Sequence, residues 1–379
     1  MKIVIAPDSF KGSLTSIEAS EIINQAIMDI DPSIETVQIP MADGGEGTVD
    51  AVLWNRGGEK ISCRVHDPLG RIIEAEYGWI EKEKTAIIET AAASGLPLVK
   101  TSDLDPEEAS SYGTGELIKD ALEKGAETII LGLGGSATID AGTGLFQALG
   151  VKFIGADRKE ITRTGGGLQR ISAMDPSGLD PRLAAAELLV ACDVTNPLLG
   201  KDGAIAVFGP QKGVEEHRLA YFEQGMRHFS ELAERKTGRS VADRPGSGAA
   251  GGIGFLLRTL LDVEFRSGLD LLVDISGLEN HLDATDLVLT AEGQIDGQSF
   301  LGKVPVGIAR LAKKRGIPVI AFAGSIGAGT EKLEQAGIRA VMPIAEGPMS
   351  LSDAMMNSEM LLYNATTRLM KILEIGKSI

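Results

Sequence analysis

At 379 residues with 43% hydrophobic side chains, the chain is long enough for two cores, yet it has no apolar run near the ~20 residues that span a bilayer. Its net charge of −16, from 53 acidic and 37 basic residues, argues against a nucleic-acid or anionic-membrane partner, which needs a basic face, but a few lysines can still hold a small anion. Two distant cysteines (Cys63, Cys192) and four scattered histidines give neither a disulfide framework nor zinc-ligand spacing, and an N-terminus broken by Pro7 and Asp8 is no secretory signal, so a cytoplasmic location is expected.

The apolar run at residues 2–6 reads as a buried strand and 15–30 as an amphipathic helix. Thr15 with Glu18 three positions later has the form of a capping box. Residues 34–39 form a second strand, and a helix ends near Asn55. Such a strand–helix–strand–helix start predicts a parallel sheet covered by helices. Short strands at 60–65, 72–79 and 85–89, with a turn at His66–Gly70, predict an antiparallel stretch. A helix at 114–124, a strand at 127–131 and a helix ending at Leu149 resume the alternation. Then come a strand at 188–193, a charged helix at 215–236, a polar loop at 236–247 and a small-residue helix at 251–261. The parallel pattern returns with strands at 287–290, 319–323 and 340–344, helices at 305–315 and 330–336, and a long helix from Leu351. The two ends of the chain resemble each other and the middle differs. The expected fold is therefore α/β, with a discontinuous Rossmann-like domain (1–58 and 282–379) and an inserted mixed domain (59–281).

The 47 glycines, well above the usual ~7%, cluster in loops where backbone approaches something closely. After the first strand come Asp8-Ser9-Phe10-Lys11-Gly12-Ser13, leading into a helix whose N-terminus favours an anion. A solvated lysine on a plain turn is the simpler explanation of that segment. Asp43-Gly44-Gly45-Glu46-Gly47-Thr48 sets two carboxylates among glycines, which suits magnesium with phosphate. Helix-dipole stabilisation would explain Glu46 but not three glycines. Gly132-Leu133-Gly134-Gly135-Ser136-Ala137 follows a strand as a phosphate-cradling turn would. It also matches G-x-G-x-x-A, with Asp157 placed for a ribose, which leaves an NAD-linked oxidoreductase open. Asp193 and Asn196 form a metal or hydroxyl pair, although an Asn-Pro turn explains Asn196 alone. Residues 297–304 miss the Walker A pattern because Val304 stands where Ser or Thr should hold magnesium. Just upstream, Glu292-Gly293-Gln294-Ile295-Asp296 ends a strand, where open α/β sheets bind ligands. The Gly248–Phe255 segment reads as close helix packing.

Taken together, Ala6–Ser13, Pro40–Thr48, Gly132–Thr138, Asp193–Leu198 and Glu292–Asp296 resemble the bacterial glycerate kinase family, the type without a P-loop, over essentially the whole chain. The resemblance implies two α/β domains with the active site in the cleft between them, and phosphorylation of D-glycerate by ATP with Mg2+. The expected product is 2-phosphoglycerate, with 3-phosphoglycerate as the alternative. The expected partners are D-glycerate and ATP, with no nucleic acid or membrane, and the oligomeric state is left open. Phosphoryl transfer needs alignment and charge neutralisation, which suggests roles for the residues. Lys11, Ser9 and the amides of Gly12 and Ser13 would hold phosphoryl oxygens, with Gly132, Gly134, Gly135 and Ser136 on the nucleotide phosphates. Asp43, Glu46 and Asp193 would hold magnesium, Asp296 would orient or deprotonate the hydroxyl, and Gln294 and Lys303 would bind substrate. A non-catalytic phosphometabolite sensor using the same loops is the other alternative.

Overall fold

The computed structural model describes residues 1–297, 303–330 and 333–377. The chain groups into two compact units, one of Met1–Asp43, Asp50–Gly57 and Leu269–Ile379, the other of Gly44–Val49 and Gly58–Gly268. In chain order the strands are β1 (Lys2–Ile5), β2 (Glu35–Gln38), β3 (Glu59–His66), β4 (Ile72–Ile80), β5 (Thr85–Glu89) and β6 (Thr128–Gly132). They continue as β7 (Lys152–Gly155), β8 (Ile171–Asp175), β9 (Glu187–Ala191), β10 (Glu264–Arg266), β11 (Leu287–Ile295), β12 (Val319–Ile326) and β13 (Ile338–Pro343).

The first unit carries a five-stranded sheet in the order β13-β12-β11-β1-β2. All its pairs are parallel, with Ile3 opposite Leu287 on one side and Thr36 on the other. Helices cover a parallel sheet on both faces, which explains why Ile3, Val4 and Ile5 are all fully buried and show no alternation. From β1 the chain winds outward to β2, and from β11 it winds the other way to β13, so the order reverses between β1 and β11. Ligands bind beyond the strand C-termini at such a switch point. The helix Ser16–Ile30 begins at the expected capping box: Glu18 N–H donates to Thr15 Oγ1 (3.1 Å), and Thr15 N–H donates to Glu18 Oε2 (2.8 Å). Its Ala19, Ile23 and Ile27 share a core with Leu361, Leu362, Ala365 and Leu369 of the C-terminal helix Ser358–Lys377.

The second unit holds a six-stranded sheet, β10-β9-β6-β5-β4-β3. The pairs from β10 to β5 are parallel, and β4 and β3 are antiparallel, as the turn-rich stretch after residue 58 predicts. Its core includes Tyr77, Trp79, Phe146, Phe153, Phe229 and Phe255.

Several elements differ from expectation. The antiparallel pair β7–β8 and the three-residue β10 went unpredicted because each is too short to show a period. β11 runs on to Ile295, past the expected end at residue 290, and pairs Ile295 with Ile326, so Glu292 and Gln294 lie within the strand. The helix at Ala249–Leu260 opens with three left-handed residues, Ala250, Gly251 and Gly252. Of the predicted helix 330–336, residues 333–336 are helical, and 331 and 332 lie outside the described residues. So do residues 298–302 of the Walker-like segment.

Candidate functional site

In the first unit, β1 and β11 stay joined beyond the strand, with Ala6 N–H donating to Leu289 O (2.8 Å) and Asp8 N–H to Ala291 O (2.9 Å). This brings Asp8 and the end of β11 to the switch point. The half-buried Asp8 accepts from Ser9 N–H at Oδ1 (2.7 Å). Burial, then the charges of Asp43 and Glu292, push its pKa up to about 8 against the pull of the Ser9 hydrogen bond and Lys303. Glu292 is also raised, first by burial; its Oε1 accepts from Lys303 Nζ (2.6 Å), and its buried Oε2 has no partner among the described residues. Lys303 Nζ also donates to Gln294 O (3.3 Å), and Gln294 Nε2 donates to Asp296 Oδ2 (3.1 Å). Asp8, Asp43, Glu292 and Asp296 thus share one neighbourhood with Lys303.

The turn after β1 departs from the anion-site expectation. Ser13 N–H (2.8 Å) and Ser13 Oγ (3.0 Å) both donate to Phe10 O, so Ser13 closes its own turn, and Gly12 takes φ +80° there. The helix start behind it is filled by the Glu18 carboxylate, which disfavours a second anion.

In the second unit the glycine loops meet at the C-terminal ends of the parallel strands. A Cβ on Gly132 would lie 2.5 Å from Gly44 O, and one on Gly134 would lie 2.6 Å from Gly45 Cα, so only glycine permits this contact. Gly135 has φ +73°, and neither Gly134 nor Gly135 donates its amide to an acceptor among the described residues. Glu89, at the end of β5, accepts from Val49 N–H (2.8 Å) and occupies the start of the helix Thr48–Arg56, the place the dipole argument gave to Glu46; Glu46 is exposed. Asp193 Oδ1, just past β9, accepts from Gly268 N–H (3.1 Å).

Beneath the Gly132–Thr138 turn lies a charged group that sequence reasoning missed. Lys212 is 3% exposed, and its Nζ donates to Ser136 Oγ (2.8 Å) and Thr138 O (2.9 Å). Burial pushes its pKa down to about 7, opposed by the Asp140 charge. Fully buried Asp140 accepts from Ser111 N–H, Ser111 Oγ, Gly142 N–H and Gly144 N–H; burial raises its pKa and these bonds lower it. Gly209-Pro210-Gln211-Lys212-Gly213 reads locally as an exposed turn, so only the distant contacts reveal the burial. Between about pH 7 and an ordinary lysine pKa near 10.5, the unfolded chain binds the extra proton. The unfolding free energy of the protein relative to its Lys212→Met variant should therefore rise with pH across that window. Urea titrations at pH 7, 8 and 9 check this, and a constant difference would refute the depressed lysine.

Asp43 belongs to the first unit, and Glu46 and Asp193 to the second. Among the described residues no three carboxylate, histidine or cysteine side chains form a metal-holding group. Magnesium needs only one or two carboxylates, with water and phosphate completing its shell. Asp8 and Asp43, whose charges repel each other within the first unit, fit that demand. The dinucleotide reading also fails on geometry. The helix after Gly132 begins only at Thr143, and Asp157 lies in an exposed turn after β7, outside the parallel sheet, where it accepts from Lys159 N–H (3.0 Å).

A profile of the glycerate kinase family matches residues 3–374. A glycerate kinase of Halalkalibacterium halodurans is 43% identical over 376 residues, 99% of each chain. A glycerate 2-kinase of Escherichia coli is 44% identical, again covering 99% of each. A crystal structure of a candidate glycerate kinase 2 from Salmonella typhimurium LT2 superposes with a TM-score of 0.88 at 42% identity, covering all of both chains.

Proposed function

The chain belongs to the glycerate kinase family, and we propose that it transfers the γ-phosphoryl group of ATP, with Mg2+, to the 2-hydroxyl of D-glycerate, giving 2-phosphoglycerate and ADP. The observation that carries the site assignment is the group of four carboxylates around Lys303 at the β1–β11 switch point, where a hydroxy-acid acceptor and a metal are both served. Asp296 orients the acceptor hydroxyl and takes its proton. Lys303, which donates to Glu292 Oε1 and Gln294 O, pairs with the glycerate carboxylate, and Gln294 holds the acceptor beside Asp296. Lys11, Ser9 and the Gly12 amide receive phosphoryl oxygens. The Gly132–Ser136 turn, with the amides of Gly134 and Gly135, receives nucleotide phosphate. Asp43 and Asp8 are the residues that would hold Mg2+, which when bound neutralises charge on the phosphates. The name of the Escherichia coli relative supports the 2-position.

Coupled ADP release from MgATP with D-glycerate, followed by phosphorus NMR, tests the reading. Turnover should depend on D-glycerate, and the product phosphorus should couple to one proton. Coupling to two protons would move the product to 3-phosphoglycerate. Turnover only with another hydroxy acid would discard the substrate, and absence of ATP turnover with any acceptor would leave a binding protein.

A further inference from the structure

We infer that Lys212 is a positioning residue of the phosphate-binding turn, acting through Ser136: by donating to Ser136 Oγ from beneath, it commits the serine proton to an anionic oxygen lodged on the turn. The inference deepens the proposed reading and rests on its nucleotide phosphate at Gly132–Ser136. An ammonium only donates, whereas a hydroxyl both donates and accepts. When Lys212 carries its proton, Ser136 Oγ is therefore the acceptor in the 2.8 Å contact, and its single proton is left for another group. No acceptor for it exists among the described residues, although Ser136 is only 4% exposed. A buried donor without an acceptor is costly unless a ligand supplies one. The second Lys212 bond, to Thr138 O, ties the far side of the same turn. Ser136 thus joins the amides of Gly134 and Gly135 as a third donor on one short segment.

The charge of Lys212 responds to what binds above it. Burial leaves the amine near neutral balance in the free protein, and Asp140 is the carboxylate that acts on it. An anion at the turn favours the ammonium form, so anion binding and protonation of Lys212 assist each other. Nucleotide affinity should accordingly weaken as pH rises above 7, with Ser136 as the relay.

The experiment is calorimetric titration of MgADP into the full-length protein, Ser136→Ala, Lys212→Met and the double variant, at pH 6.5 and 8.5. Each single variant should weaken MgADP about tenfold at pH 6.5 and lose the pH dependence. The double variant should be no weaker than the singles, because both cut one relay. KM for D-glycerate should not move. Additive losses near 100-fold, or a Ser136→Ala variant that binds like the parent, would overturn the inference. If Lys212→Met does not fold, Ser136→Ala decides through its affinity and pH profile. A parent protein that fails to bind MgADP would overturn the nucleotide reading and this inference with it. A parent that binds normally beside an unaffected Ser136→Ala removes the inference alone.

Discussion

Replacing Asp296 by Asn should lower kcat by about 10³, roughly 4 kcal/mol of barrier, while KM for ATP stays within about twofold. The carboxylate stands directly after β11, whose pairing with β12 through Ile295 and Ile326 fixes the strand end. Asn matches Asp in shape, and its amide oxygen can still accept the Gln294 Nε2 bond. The variant therefore keeps the local fold and loses only the ability to take a proton. The partners available to replace it are poor. Glu292 is held by Lys303, and Asp8 is drawn toward its neutral form by burial and by Asp43. Steady-state kinetics at saturating D-glycerate measure the split between kcat and KM. A kcat near that of the parent would remove Asp296 from the proton-transfer role.

Gly251→Ala should cost about 3 kcal/mol or more of unfolding free energy and weaken nucleotide binding at the same time. Gly251 has φ +66°, and a Cβ there would lie 1.9 Å from Thr138 O. That oxygen cannot yield, because it is backbone and accepts from Lys212 Nζ. The neighbouring contacts are as tight: a Cβ on Gly252 would sit 2.9 Å from Ala141 Cα, and one on Gly142 would sit 3.1 Å from Ile253 Cα. Ala141 itself is left-handed, at φ +53°, and donates to Gly251 O (3.0 Å). Two strained segments thus support each other beneath the Gly132–Thr138 turn. Gly200→Ala is the control, since Gly200 has φ +90° with nothing within 4 Å of its would-be Cβ. It should cost about 1 kcal/mol, from backbone conformation alone. Urea midpoints of the two variants report the difference, and equal losses would show that the contact with Thr138 does not matter.

The sequence made some of this legible and hid the rest for identifiable reasons. The β1 strand, the Thr15–Glu18 capping box and the turn after β6 are local devices, written in consecutive residues, and they were readable. The glycine clusters signalled close backbone approach, but not that Gly132 and Gly134 meet Gly44 and Gly45, since those partners are distant in the chain. Asp8 was visible in its motif, but nothing local distinguishes it from a turn aspartate. Its altered acidity arises from Asp43 and Glu292, which are distant in the chain. Lys212 was hidden for the same reason, as its partners lie more than 70 residues upstream. Ser13 was misjudged in the other direction, since a turn that satisfies its own amide looks the same in sequence as one that offers it to a ligand.

The place of β1 inside its sheet has a consequence for biosynthesis. Ile3 pairs with Leu287, so this central strand must await a neighbour made about 280 residues later. At about 5–20 residues per second, that wait on the ribosome is about 15 s to a minute. Throughout it, the apolar edge of Ile3, Val4 and Ile5 can pair on one side only, with β2. The continuous segment Gly58–Gly268 is complete before β11 exists. The nascent chain therefore carries an open, apolar strand edge through that interval, a stage at which edge-to-edge pairing with another chain competes with folding.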